Sequence, residues 1–151
     1  MKLHLTQADY DALRAHGEET YPHECCGVLL GHAKDDGNHV ASIVRAGNTR
    51  TDSAHNRYNI SPMELIKIQR EGRKQGLDIV GFYHSHPDHP AMWSSTDFAE
   101  AHWFGCCYVI TSVDKGKANL TNAFHLSGTT EDDKAFQQEE ILITKAVGEN
   151  A

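Results

Sequence analysis

GFYHSHPDHPAMWSSTDFA, residues 81–99, is the stretch on which the reading of this chain turns. If 81–86 is extended, the two-residue side-chain period sends His84 and His86 to one face and Ser85 to the other. Two imidazoles side by side at the end of an apolar strand, with carboxylates close behind, suit zinc or another borderline metal. Pro87 cannot donate to a sheet ladder, so it marks where the strand stops and the chain turns back, which lets a third ligand arrive from just downstream. Ser94-Ser95-Thr96-Asp97 also reads as a capping box flanked by Trp93 and Phe98, opening a helix that ends near Gly105. The metal and the cap therefore compete for the Asp97 carboxylate.

Working outward, two more helix starts carry the same signature. Thr6-Gln7-Ala8-Asp9 with Leu5 and Tyr10 predicts a helix from Gln7 to Thr20, and Pro22 helps to end it. Ser61-Pro62-Met63-Glu64, with proline at the first helical position and Ile60 and Leu65 as the staple, predicts a second helix stopping at Gly76. Between the helices lie segments rich in strand formers: Cys25 to Leu30, Val40 to Val44, Leu77 to His84, Cys106 to Val113 and Ala118 to Leu126. Asp114-Lys115-Gly116-Lys117 reads as a hairpin turn, so the last pair is antiparallel and the sheet is mixed. The tail from Phe136 to Thr144 suits a strand at Ile141, Leu142 and Ile143 and a helix at the preceding Gln and Glu residues; the strand is favoured. Asn48 to Asn56 is polar and reads as a mobile loop.

The chain has 151 residues, 39% hydrophobic and 23% charged, which fits one domain spanning 1–151 with a core of ordinary size. A net charge of -7 without a basic stripe argues against nucleic acid as the partner. No apolar run approaches the roughly 20 residues needed to cross a bilayer, and the N-terminus has no signal-peptide core, so the expectation is a cytoplasmic protein without a membrane partner. The four cysteines form two adjacent pairs, Cys25-Cys26 and Cys106-Cys107, inside apolar strands. Neighbours on a strand point to opposite faces, so reduced, buried thiols are expected rather than a metal site or an internal disulfide. A Cys25 nucleophile is disfavoured for the same reason, since it lacks an electropositive, partly exposed setting.

Two known patterns overlap the central stretch. His84-Ser85-His86-Pro87-Asp88-His89 fits the H-x-H-x-D-H string of the metallo-β-lactamase superfamily, but that fold needs a larger two-sheet sandwich and further ligands. His84-x-His86-Pro87, six residues, then Ser94-x-x-Asp97 resembles in full the metal-binding string of the JAMM (MPN+) metallopeptidase family. Upstream, Glu24-Cys25-Cys26-Gly27-Val28-Leu29-Leu30-Gly31 is close to that family's E-x-x-G-x-L-x-G. The resemblance covers the chain from near Thr6 to beyond Cys106 and implies an α/β MPN domain, a mixed β-sheet flanked by helices.

By position, the resemblance implies His84, His86 and Asp97 as ligands of one Zn2+ ion, with a water in the fourth place. Three protein ligands plus water mark a catalytic rather than a structural zinc, and the metal lowers the pKa of that water towards neutrality. Glu24 then matches the general base and Ser94 the hydroxyl that hydrogen-bonds the oxyanion. The implied reaction is hydrolysis of a peptide or isopeptide bond at the C-terminal tail of a ubiquitin-like or β-grasp sulfur-carrier protein. The compact chain looks more like the stand-alone prokaryotic members. A non-catalytic MPN scaffold is the rival reading, although every ligand position is filled. Oligomeric state is not legible in the sequence.

Overall fold

The computed structural model describes residues 1–47 and 60–144. In chain order the elements are β1 (Lys2–Thr6), α1 (Gln7–Thr20), β2 (Cys26–Lys34), β3 (Gly37–Ala46), α2 (Pro62–Lys74), β4 (Asp78–Pro87), α3 (Ser95–Ala99), β5 (Cys107–Asp114), β6 (Lys117–Ser127) and β7 (Ala135–Thr144). The expected loop at Asn48 to Asn56 lies outside the described residues.

The sheet is mixed, as expected, with β4–β5, β1–β3 and β1–β7 parallel and the other joins antiparallel. It is not, however, a plain sheet flanked by helices: the strands close into a barrel in the order β1-β3-β2-β4-β5-β6-β7. Closure depends on β1, which local pattern does not announce because it is only five residues long. Leu3 and Leu5 of β1 are completely buried, and the strand pairs in parallel with β7 from Lys2↔Glu140 to Thr6↔Thr144. Closing the sheet removes two aggregation-prone edges.

Two apolar layers hold the barrel and its helices together. One packs Leu13 of α1 with Leu29, Val80, Tyr83, Cys107 and Val109; the other packs Ile68 of α2 with Val28, Leu30, Phe82, Cys106 and Tyr108. Each cysteine pair is split between the two layers, as strand alternation requires, and all four thiols are free and buried. Lys115 and Gly116 both have positive φ, 49° and 86°, the two-residue hairpin turn anticipated between β5 and β6.

Two boundaries differ from the pattern reading. β4 runs to Pro87, past the His84 end that the run of strand formers suggests and to the stop that the proline itself marks, because β5 pairs with it through Ser85↔Thr111, His86↔Ser112 and Pro87↔Val113. α3 ends at Ala99 instead of near Gly105. There Lys134 Nζ donates to the carbonyls of Phe98 at 2.8 Å and Ala101 at 3.1 Å, supplying by side chain what another helical turn would have supplied by backbone.

Candidate metal centre

The last turn of sheet on β4 carries the two histidines. His84 pairs with Cys26 on one side and Ile110 on the other, in the middle of the barrel wall, and is 2% exposed. His86 lies two residues on, half-buried, with its Nε2 3.1 Å from His84 Nε2. Asp97 reaches both from α3: Oδ1 is 3.2 Å from His84 Nε2 and Oδ2 is 3.1 Å from His86 Nε2. The side chain of Glu24, 3% exposed and just ahead of β2, completes a group with His84 and His86 whose donor atoms lie within 4.8 Å of one another. All four acid and imidazole residues singled out from sequence therefore converge.

Asp97 caps its helix and faces both rings in one and the same conformation. Its Oδ2 accepts the Ser94 backbone N–H at 2.8 Å while facing His86, and Ser94 Oγ accepts the Asp97 N–H at 3.0 Å. The carboxylate closes a complete capping box and still presents both oxygens to the histidines. Ser94 Oγ uses a lone pair in this cap, which leaves its hydroxyl proton available to donate.

The protonation pattern of His86 decides what the group can hold. Its Nδ1 lies 2.9 Å from the Pro90 carbonyl, which can only accept, so Nδ1 carries the proton in the neutral ring and Nε2 carries the lone pair. That lone pair then faces an anionic oxygen of Asp97, a repulsive contact unless a second ring proton, which makes it a hydrogen bond, or a metal ion lies between them. Burial pulls the His86 pKa down, but the hydrogen bonds with Asp97 and Pro90 outweigh it and the net shift is upward. Burial pushes the Asp97 carboxyl up, and the two imidazoles overturn that and hold it well below the usual range. For His84 burial prevails over Asp97 and the pKa falls. Two imidazoles and one carboxylate, with one ring locked through its far nitrogen, fit a zinc ion and the outer support that such ligands ordinarily have.

Several residues hold this arrangement in place without having been singled out from sequence. Ser85, on the opposite face from the histidines, is completely buried; its Oγ accepts the Cys25 N–H at 2.9 Å and its own N–H donates to the Cys25 carbonyl at 3.3 Å. This double clamp fixes the residue next to Glu24. Gly17 of α1 lets the helix close on Ser85, where an added Cβ would lie 3.2 Å from the Ser85 Cβ. Gly27 has a similar purpose: a Cβ there would come within 2.1 Å of the Tyr83 ring, so the glycine of the E-x-x-G string is the floor on which that ring lies.

The connection from β4 to α3 is tied down along its length. Asp88, at φ 57°, accepts from Tyr21 Oη at 2.6 Å and from the Lys115 N–H at 2.8 Å, and the Ala91 carbonyl accepts from Asn122 at 2.9 Å. Both carboxylate oxygens of Asp88 are thereby engaged, and His89 is exposed, which leaves neither in the group as the H-x-H-x-D-H string would require. Trp93 packs on Phe98 with ring centroids 5.4 Å apart, the staple expected for α3. Burial pushes the Cys25 thiol up to about 11, with only partial relief from Ser85, so it stays a protonated thiol.

Comparison with known proteins gives a consistent result. Residues 6–126 match the family described as prokaryotic homologs of the JAB domain. The chain is 33% identical over 117 residues to a desampylase of Haloferax volcanii, covering 75% of this chain and 82% of that protein. It is 30% identical over 118 residues to a probable TtuB-protein conjugate cleaving protease of Thermus thermophilus, covering 78% and 75%. Two solution structures share the fold. One, from Desulfitobacterium hafniense, has a TM-score of 0.81 at 25% identity, covering 97% of this chain and 95% of that one. The other, from Salinibacter ruber, has a TM-score of 0.71 at 40% identity, covering 95% and 92%.

Proposed function

Since the chain belongs to the family of prokaryotic homologs of the JAB domain, we propose that it is a JAMM-type zinc metallopeptidase that cleaves the bond joining the C-terminal tail of a ubiquitin-like or β-grasp sulfur-carrier protein to an amine. The observation that carries this reading is the convergence of Glu24, His84 and His86 with Asp97, which reaches both rings.

His84, His86 and Asp97 would hold the ion through two imidazole nitrogens and a carboxylate, leaving room for reactants. Zinc so held supplies Lewis acidity toward a scissile carbonyl and toward water. The remaining chemistry belongs to the chain. Glu24, buried beside the two histidines, takes a proton from the attacking water as the new C–O bond forms. It returns that proton to the departing amine as the C–N bond breaks, so the net reaction consumes one water. The Ser94 hydroxyl donates to the oxygen on which negative charge develops. Pro90 and the capping box keep His86 and Asp97 from turning during this sequence.

The names of the two curated relatives, a desampylase and a conjugate-cleaving protease, support a conjugated protein tail as the substrate. The test is to incubate the zinc-loaded protein with isopeptide conjugates and C-terminal extensions of several ubiquitin-like and sulfur-carrier proteins, and to read the products by mass spectrometry. Release of the intact carrier with a free C-terminal carboxylate is expected. No hydrolysis of any of these by a protein that holds zinc would refute the reading and favour a scaffold.

A further inference from the structure

A second cluster of ligating side chains lies on the barrel wall away from Glu24, His84 and His86. His4 of β1 and His39 of β3 are direct partners across the parallel join, and their rings stack with centroids 3.9 Å apart and planes within 7°. Asp36, in the turn between β2 and β3, sits over both: Oδ1 is 2.7 Å from His39 Nε2 and Oδ2 is 3.4 Å from His4 Nε2. One donor atom from each of the three lies within 4.8 Å of the others. His39 is in turn the antiparallel partner of His32 on β2, which is exposed. Directly paired residues share a face of a sheet, so His4, His39 and His32 form a row across three neighbouring strands.

Two features separate this cluster from an ordinary surface ion pair. His4 is 7% exposed, and its Nε2, buried and turned toward Asp36, makes no hydrogen bond among the described residues. A buried ring nitrogen left this way is costly, and it is aimed into the cluster. The turn is also built to press on β1: the Lys2 N–H donates to the Asp36 carbonyl at 3.1 Å, and a Cβ on Gly37, at φ 129°, would fall 1.9 Å from the Lys2 carbonyl oxygen. Only glycine permits this approach, and the approach brings Asp36 over His4.

We propose that His4, His39 and Asp36 form a second divalent-metal site, for zinc or another imidazole-preferring ion, with His32 placed to supply a fourth ligand. Two imidazoles and a carboxylate are the ligand types such ions take, and a closed four-ligand set is the structural rather than the catalytic form. The site is separate from the first. Along β2, His84 pairs with Cys26 and His39 with His32, so six residues at about 3.3 Å each put them roughly 20 Å apart. Its effect would be to rivet β1 to β3, the join at which His4↔His39 is the registered pair, and so to secure the closure of the barrel.

The test is a Zn2+ titration of chelator-stripped protein by calorimetry, with bound metal counted by plasma mass spectrometry and the melting temperature followed. Wild type is expected to take two equivalents. His39→Ala and, independently, the milder Asp36→Asn should each take one and keep proteolytic activity, whereas His84→Ala should keep the equivalent that these two lose. Zinc should raise the melting temperature of His84→Ala but not of His84→Ala combined with His39→Ala. No zinc bound by His84→Ala, or as much zinc bound by both His39→Ala and Asp36→Asn as by wild type, would overturn the proposal whatever the first site does.

Discussion

Replacing Ser85 by alanine isolates the link between the barrel wall and the proposed base. The substitution removes one oxygen from a completely buried position and leaves the Cys25 N–H without the acceptor it has at 2.9 Å. A buried donor deprived of its partner costs about 1–3 kcal/mol. With a urea slope of about 1–3 kcal/mol per molar, the unfolding midpoint should fall by about 1 M. The catalytic effect follows from sequence adjacency, since Cys25 is the residue after Glu24 and is held by Ser85 at both its N–H and its carbonyl. Freed at one of the two, the Glu24 carboxylate loses alignment, and misplacement by about 1 Å costs on the order of 100-fold in rate. The assay is steady-state cleavage of a fluorogenic conjugate at saturating zinc, with zinc content and unfolding measured on the same samples. A fall of about 10- to 100-fold in kcat, with KM and zinc content held, is expected. Wild-type kcat in a variant that has lost the expected stability would show that Ser85 serves the fold alone.

Two further outcomes follow from the packing and the buried charges. Gly27→Ala drives a methyl into the Tyr83 ring, which is 1% exposed and has nowhere to move, so a loss of at least about 1–3 kcal/mol is expected in thermal or urea unfolding; an unchanged melting temperature would contradict the contact. His16, whose Nδ1 lies 2.8 Å from Tyr83 Oη, has its pKa lowered from 6.5 to about 4, chiefly by burial and then by Arg45. A depressed histidine makes the unfolded chain bind the extra proton first, so stability falls as pH drops from 6.5 towards 4, by up to about 3 kcal/mol. His16→Gln should flatten that part of the stability profile, and equal slopes in the two proteins would argue against a buried neutral imidazole.

What the sequence made legible was local. Helix starts at Thr6, Ser61 and Ser94 each appear as the caps that hydroxyl-x-x-carboxylate spacing implies, with the hydroxyl accepting from the third residue on. That His84 and His86 share a face followed from strand alternation, while the placing of Asp97 and Glu24 beside them was implied by the resemblance of two motifs to the JAMM family. What escaped was set by distant partners. β1 is a strand because β7 and β3 lie beside it, and barrel closure is a property of that pairing rather than of Lys2–Thr6. α3 stops early where Lys134, remote in sequence, donates to the carbonyl of Phe98 in the helix and of Ala101 just beyond it. Ser85 sits in the middle of the most informative stretch, yet its role depends on Cys25 across the sheet, which alternation alone does not reveal. Asp97 could be read as facing the helix or the histidines but not both, since only in three dimensions does Oδ2 meet the Ser94 N–H and His86 together while Oδ1 meets His84.

Proton transfer by the buried carboxylate of Glu24 beside the two histidines is the central step of the proposed reaction. The direct measurement is Glu24→Gln, with bound zinc and conjugate cleavage determined side by side. Because Glu24 is proposed as base and not as ligand, zinc content equal to wild type is expected, with cleavage down by about 100- to 10,000-fold. Cleavage at the wild-type rate by a zinc-loaded Glu24→Gln protein would contradict it.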